Sequence, residues 1–179
     1  MDLTKRLMEK VSRIEDLFSY SKNPKFFKDV DNIFERLTWE EVIDNIDRNV
    51  SEDVFPEIKV RSNLGLVCHD TRDLVKTHAV RSSIMKNRPN IHPTAHLYVS
   101  LTSVSETFGK HDDFMDVIVW QNLGVTRWFL FADETHVIDL KPGEFIYIPM
   151  GMFHDTIPIT PRASMSFGLE NRPAGDLNL

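Results

Sequence analysis

Three side chains in the second half of the sequence have the types and spacing to hold a metal ion. His111 and Asp113 stand two positions apart in Gly109-Lys110-His111-Asp112-Asp113. On an extended chain, residues i and i+2 project to the same side, so an imidazole and a carboxylate there reach one ion together. His154 closes the stretch Ile148-Pro149-Met150-Gly151-Met152-Phe153-His154 and would bring a third donor from a strand returning to the same place. Two imidazoles and one carboxylate on one face of an octahedral ion leave the opposite positions open, the arrangement by which non-haem Fe(II) centres hold a co-substrate and oxygen. Taken alone, His-Asp-Asp reads more readily as a solvated turn than as a metal site. The elements around it decide between the two.

Those elements are short strands. Residues 114–121 form a mostly apolar, β-branched run, Asn122-Leu123-Gly124 is a turn, and Thr126 to Phe131 (TRWFLF) has strand character. A third run covers 136–140, Lys141-Pro142-Gly143-Glu144 is a tight turn, and a fourth run covers 145–149. Upstream, 97–104 alternates Leu97, Val99 and Leu101 against Tyr98, Ser100 and Thr102, a half-buried strand whose polar side faces a pocket and puts Tyr98 within reach of a co-substrate. On the last run Arg162, Ser164 and Ser166 share one face, opposite Ala163, Met165 and Phe167. Strands of this length and spacing, with candidate ligands at their ends, predict a mainly β protein closed into a barrel.

The ordered series His111-x-Asp113, Gln121-x-x-Gly124, Arg127-Trp128, Lys141-Pro142-Gly143-Glu144-Phe145-Ile146-Tyr147-Ile148-Pro149 and His154 resembles the JmjC-type, cupin-like Fe(II)/2-oxoglutarate dioxygenases. The nearest flavour is the branch of bacterial ribosomal-protein hydroxylases and the asparagine hydroxylase of hypoxia-inducible factor. The resemblance covers roughly residues 97–170. It implies a double-stranded β-helix (cupin/jelly-roll barrel), with Fe(II) held by His111, Asp113 and His154 as the catalytic triad, and 2-oxoglutarate as co-substrate. One position departs from the pattern. Two residues after the turn glycine, relatives carry a Lys or Arg that grips the far carboxylate of 2-oxoglutarate, and here that residue is Thr126. Arg127 beside it points to the opposite face by strict alternation. Other branches use an Arg-x-Ser on the last barrel strand, which carries the grip over to Arg162 and Ser164, with Thr126 adding at most a hydroxyl bond. The other reading of Arg162 is an arginine starting an edge strand in solvent. Two further readings stay open beside the dioxygenase: a metal-dependent cupin acting on a small molecule without 2-oxoglutarate, and a non-catalytic cupin binding module. A protein side chain, an RNA base and a small metabolite are all substrates of this fold class.

Composition bounds the rest. The 179 residues, 41% hydrophobic and 27% charged, suit one domain with a sizeable core: a helical layer over 1–50, a barrel over about 54–170 and a tail over 171–179. A net charge of −6 argues against a large nucleic-acid-binding surface. The one cysteine, Cys68, excludes an internal disulfide framework and fits a reducing cytoplasm. No apolar run approaches the roughly 18 residues of a membrane span. Residues 1–19 show the i, i+3, i+4 stripe of a docking helix, and Phe26, Phe27, Val30, Ile33, Phe34 and Leu37 recur at helical spacing after Asn23-Pro24. Thr38-Trp39-Glu40-Glu41 is a capping box opening a helix to about Asn49. In the family such a layer covers the barrel and shapes dimer contacts, so a homodimer is compatible with it. Strands are expected over 58–60 and 64–68 and a helix within 70–86, while His69, His78 and His92 read as surface or loop residues. Proline at 93 argues against a helix that would align His92 with His96 as a second metal site.

Overall fold

The structure, a computed structural model, describes residues 9–10, 12–28, 33–51 and 58–171. Its larger sheet takes eight strands: β1 (Glu9–Lys10), β2 (Lys25–Phe27), β3 (Ile58–Arg61), β4 (Gly65–Cys68), β5 (Ile91–Ser100), β6 (Asp116–Leu123), β9 (Phe145–Ile148) and β11 (Arg162–Asn171). They lie in the order β1-β2-β9-β6-β11-β5-β4-β3. The remaining strands, β7 (Thr126–Phe131), β8 (Thr135–Leu140) and β10 (Phe153–Pro158), make a small sheet in the order β10-β7-β8. Apart from the parallel β1–β2 contact, neighbours run antiparallel. This is the expected jelly-roll barrel.

The large sheet is buried on both faces, which is why β6 and β9 read as nearly continuous apolar runs instead of alternating ones. Val117, Val119, Ile146 and Ile148 turn inward against Trp128, Leu130 and Leu140 of the small sheet. Ile118, Trp120, Phe145 and Tyr147 turn outward against the helical layer, where Trp120 and Phe145 stack with centroids 5.4 Å apart. On β11 the division is sharper. Ala163, Met165 and Phe167 are fully buried in the outer core, while Arg162, Ser164 and Ser166 face the barrel interior.

The layer over that outer face contains α1 (Ile14–Phe18), α2 (Trp39–Ser51) and α3 (Val75–Asn87). The capping box forms as expected: the Glu41 N–H donates to Thr38 Oγ1 (3.2 Å) and the Thr38 N–H to Glu41 Oε2 (2.7 Å). Elsewhere the first 50 residues depart from the expected helices. Lys25, Phe26 and Phe27 form a strand, because the exposed edge of β9 offers backbone partners to Lys25–Phe27 that outweigh a helical spacing of phenylalanines. Glu9 and Lys10 pair with it in turn, so among the described residues the N-terminal helix is only α1, five residues long; positions 1–8, Val11, and Val30 of the second helical pattern lie outside them. β5 begins at Ile91, six residues before the alternation read at Leu97, and ends at Ser100. His92 therefore lies on a strand, His69 is half-buried with its ring edge-on to His96 at 4.8 Å, and His78 is an exposed helix residue. Among the described residues no helix is long and apolar enough to cross a membrane.

Candidate metal centre and the cavity behind it

His111 and His154 are brought together by backbone. They form an isolated antiparallel bridge, His111 N–H donating to His154 O (2.9 Å) and His154 N–H to His111 O (2.7 Å), with ring centroids 4.4 Å apart. Each imidazole is then oriented by a carbonyl two residues before it. His111 Nδ1 lies 2.8 Å from Gly109 O, and His154 Nδ1 lies 3.0 Å from Met152 O. A carbonyl only accepts, so both Nδ1 atoms carry the proton and both Nε2 atoms keep a free lone pair. Gly109 reaches its position in the left-handed region, at φ +69, which glycine adopts without strain.

Asp113 completes the set. Its backbone carbonyl accepts the Gly151 N–H (2.9 Å), and its Oδ2 stands 3.7 Å from His154 Nε2. The donor atoms of His111, Asp113 and His154 all lie within 4.8 Å of one another. Neighbouring ligands about 2.1 Å from an octahedral ion are roughly 3 Å apart, so a small contraction closes the set. Burial holds the His154 imidazole below its ordinary range, and the adjacent His111 adds to this against the opposing pull of the Met152 hydrogen bond and Asp113. Neutral imidazole is the ligating form. Donor chemistry, tautomers and spacing thus fit a divalent metal.

Behind these residues lies a cavity of about 250 Å3 between the sheets. Thr94, His96 and Tyr98 of β5 and Arg162, Ser164 and Ser166 of β11 form one wall, and Trp128 and Thr156 stand on the other. Arg162 is 7% exposed, in the middle of the large sheet between β5 and β6, and so does not start an edge strand in solvent. Its Nη1 donates to Ser164 Oγ (3.0 Å), and Ser164 Oγ donates to Gln121 Oε1 (2.8 Å). Gln121 is oriented by its own amide, which donates to the Leu123 (2.7 Å) and Gly124 (3.2 Å) carbonyls. Arg162 Nε is buried without a hydrogen-bond partner, and among the described residues no carboxylate forms an ion pair with Arg162. Burial lowers its pKa to about 10, so the guanidinium is still charged at neutral pH. A buried cation with a spare donor facing a cavity is unfavourable until an anion arrives, and a carboxylate matches its geometry. Tyr98 faces the same space, its hydroxyl held in the neutral form first by burial and then by Asp113.

Thr126 is different. It is fully buried on the face of β7 that carries Trp128, its hydroxyl has no partner, and it is absent from the cavity wall. Arg127 points the other way, as alternation requires, and pairs with Asp139 at 2.6 and 2.8 Å. Sequence reasoning missed Thr94 and His96 as wall residues. The signal was available, since Thr94, His96 and Tyr98 continue one period-two face once Pro93 is allowed inside a strand. Phe108 was also missed. Its ring lies 5.8 Å from His111 and 5.9 Å from Tyr98, with the Arg61 guanidinium 3.8 Å above it, and nothing in a loop sequence marks such a contact.

No family model and no curated protein sequence matches the chain. Solved structures do. A structure of YcfD from Escherichia coli aligns with TM-score 0.64 at 16% identity, covering 86% of this chain and 51% of that one. The likeness is one of fold, a jelly-roll β-barrel. A structure of the E. coli ribosomal oxygenase YcfD in complex with cobalt and succinic acid aligns over 69% of this chain and 35% of that chain, with TM-score 0.54 and 22% identity. Another, in complex with cobalt and 2-oxoglutarate, gives TM-score 0.51 and 19% identity over 69% of this chain and 36% of that chain. This barrel therefore spans between about a third and a half of the length of the oxygenase chains it matches.

Proposed function

We propose that the chain is an Fe(II)- and 2-oxoglutarate-dependent oxygenase in which His111, Asp113 and His154 hold the metal and Arg162 anchors the co-substrate. The observation that carries this reading is the pairing of a two-histidine, one-carboxylate set with a buried, carboxylate-free arginine in one cavity. Fe(II) and 2-oxoglutarate, once bound, supply the oxidising chemistry: one oxygen atom of O2 enters succinate as CO2 leaves, and the other goes to the substrate. The protein's part is placement. The Gly109 and Met152 carbonyls fix the imidazole tautomers, so His111 and His154 present Nε2 without rearrangement. Arg162, its Nη1 oriented by Ser164 and Ser164 in turn by Gln121, would grip the far carboxylate of 2-oxoglutarate, and the Tyr98 hydroxyl would add a hydrogen bond. Val117, Val119 and Trp128 give the cavity an apolar side that would help keep water from the reacting atoms.

The likeness to oxygenase structures crystallised with cobalt and 2-oxoglutarate supports the same reading at the level of fold. The test is metal analysis of protein purified without chelators, followed by ligand-observed NMR of 2-oxoglutarate with the Mn(II)-loaded and metal-free protein. One metal per chain and metal-dependent binding of 2-oxoglutarate are expected. Bound metal with no 2-oxoglutarate interaction would replace this reading by a cupin that works without it, and neither metal nor ligand would leave a binding module.

A further inference from the structure

The turn that leads into the strand of His154 is held by a largely buried polar cluster with no part in the proposed chemistry. β6 and β9 pair Val117 with Ile148, so Asp116 stands beside the chain as it leaves β9. Residues 149–152 then turn sharply, with the Met152 N–H donating to Pro149 O (3.2 Å) and Gly151 in the left-handed region at φ +76. A turn of this kind leaves the N–H groups at its tip without partners inside it. Met150 N–H donates to Asp116 Oδ1 (2.9 Å), and Gly151 N–H donates to the Asp113 carbonyl (2.9 Å). The Met152 carbonyl of the same turn accepts the His154 Nδ1 proton (3.0 Å). One four-residue turn thus touches two of the three candidate ligands, and the Asp116 carboxylate anchors it.

Asp116 is itself fixed. Its Oδ2 lies 3.0 Å from Arg88 Nη1 and 2.7 Å from the Tyr147 hydroxyl, and the Arg88 and Asp116 side chains are 13% and 12% exposed. Both partners tie back to the N-terminal segment. Arg88 Nε donates to the Phe18 carbonyl, while the Tyr147 hydroxyl faces Ser21 O (3.0 Å) and accepts the Ser21 N–H (3.3 Å). Carboxylates that orient groups holding metal ligands act on the metal as well as on the fold, and their loss costs roughly 10- to 100-fold in metal affinity.

We infer that Asp116 is a positioning residue for the metal centre: it fixes the 149–152 turn, and through that turn Asp113 and His154, while Arg88, Tyr147 and the segment around Phe18 and Ser21 fix Asp116. This rests on the reading of His111, Asp113 and His154 as metal ligands. It gives the helical layer a task at the site, since α1 and the residue that ends α3 brace the ligands through one carboxylate.

The test is titration of the wild type, Asp116→Asn, Tyr147→Phe and Val42→Ala with Co(II), following affinity and the visible ligand-field bands below the melting point of every variant. Val42 is fully buried in the outer core and takes no part in the hydrogen bonds around Asp116, so Val42→Ala serves as the stability control. Asp116→Asn should weaken Co(II) by about 10- to 100-fold and shift the bands. Tyr147→Phe, which keeps the ion pair and removes one hydrogen bond, should weaken it several-fold and serves as the second variant if Asp116→Asn does not fold. Val42→Ala should bind as the wild type does. Wild-type affinity and bands in Asp116→Asn, or in Tyr147→Phe where that variant stands in, overturn the inference, as does an equal loss in Val42→Ala, which would make the cluster a stability element only. A wild type that takes up no Co(II) fails the metal reading itself, and the positioning role falls with it.

Discussion

Arg162→Ala tests the proposed co-substrate anchor separately from the rest of the site. In the protein without ligand the guanidinium is buried, bonded to Ser164 Oγ and unpaired with any carboxylate among the described residues. Burial pushes its pKa from the ordinary arginine value down to about 10, the signature of a charge costing on the order of 3 kcal/mol below that pH. The sign follows from linkage: the unfolded chain binds more protons between the two values, so stability rises with pH across that window and the cost is fully present at neutral pH. Removing Arg162 should therefore destabilise the ligand-free protein less than an ordinary large-to-small core substitution, which costs about 2–5 kcal/mol. With ligand the balance reverses. A charge-assisted contact to the 2-oxoglutarate carboxylate contributes about 1.5–3 kcal/mol, so Arg162→Ala should raise its Kd roughly 10- to 150-fold. The assay is calorimetric titration of Mn(II)-loaded protein with 2-oxoglutarate, paired with thermal unfolding in the presence and absence of ligand. Thr126→Ala, at a residue off the cavity wall, should change Kd far less. Wild-type affinity in Arg162→Ala would refute the assignment, and a larger loss in Thr126→Ala than in Arg162→Ala would move the anchor to β7.

His111→Ala and Asp113→Ala should each abolish Mn(II) binding, read by calorimetry, while the far-ultraviolet circular dichroism stays that of the wild type; retained binding in either removes that residue from the ligand set. Because burial depresses the His154 pKa, its neutral form persists below the ordinary imidazole value of about 6.5. Mn(II) affinity should fall as acidification protonates His154, and the same group contributes stability above its unfolded pKa that is lost as pH drops through the depressed one. Affinity flat from about pH 8 to 4 would contradict histidine ligation. Gly124→Ala should cost about 2–4 kcal/mol in thermal or denaturant unfolding, since its φ is +66 and a Cβ there would meet the Pro161 carbonyl at 1.9 Å; unchanged stability would refute the turn geometry.

The barrel strands were legible in the sequence because each is written locally. TRWFLF alternates over the six residues that form β7, the Arg162, Ser164 and Ser166 face is a period-two pattern, and the Thr38–Glu41 box needs only four residues. The N-terminal layer was not legible. Phe26 and Phe27 carry helical spacing, yet the free edge of β9, more than a hundred residues away in sequence, decides that they pair as strand. The burial of Arg162 was equally invisible, since an arginine opening the last strand looks the same from sequence whether β5 and β6 flank it or water does. Asp116 was passed over for a related reason: its partners come from two stretches of chain distant from it in sequence, Arg88 from one and Tyr147 and the Met150 N–H from the other.

The most direct test of the account is anomalous diffraction at the manganese edge from crystals grown with Mn(II) and 2-oxoglutarate. The account predicts one peak within about 2.0–2.3 Å of His111 Nε2, His154 Nε2 and an Asp113 carboxylate oxygen, with the distal carboxylate of 2-oxoglutarate on the Arg162 guanidinium. A crystal with no manganese at these residues, or with 2-oxoglutarate bound away from Arg162, would contradict it.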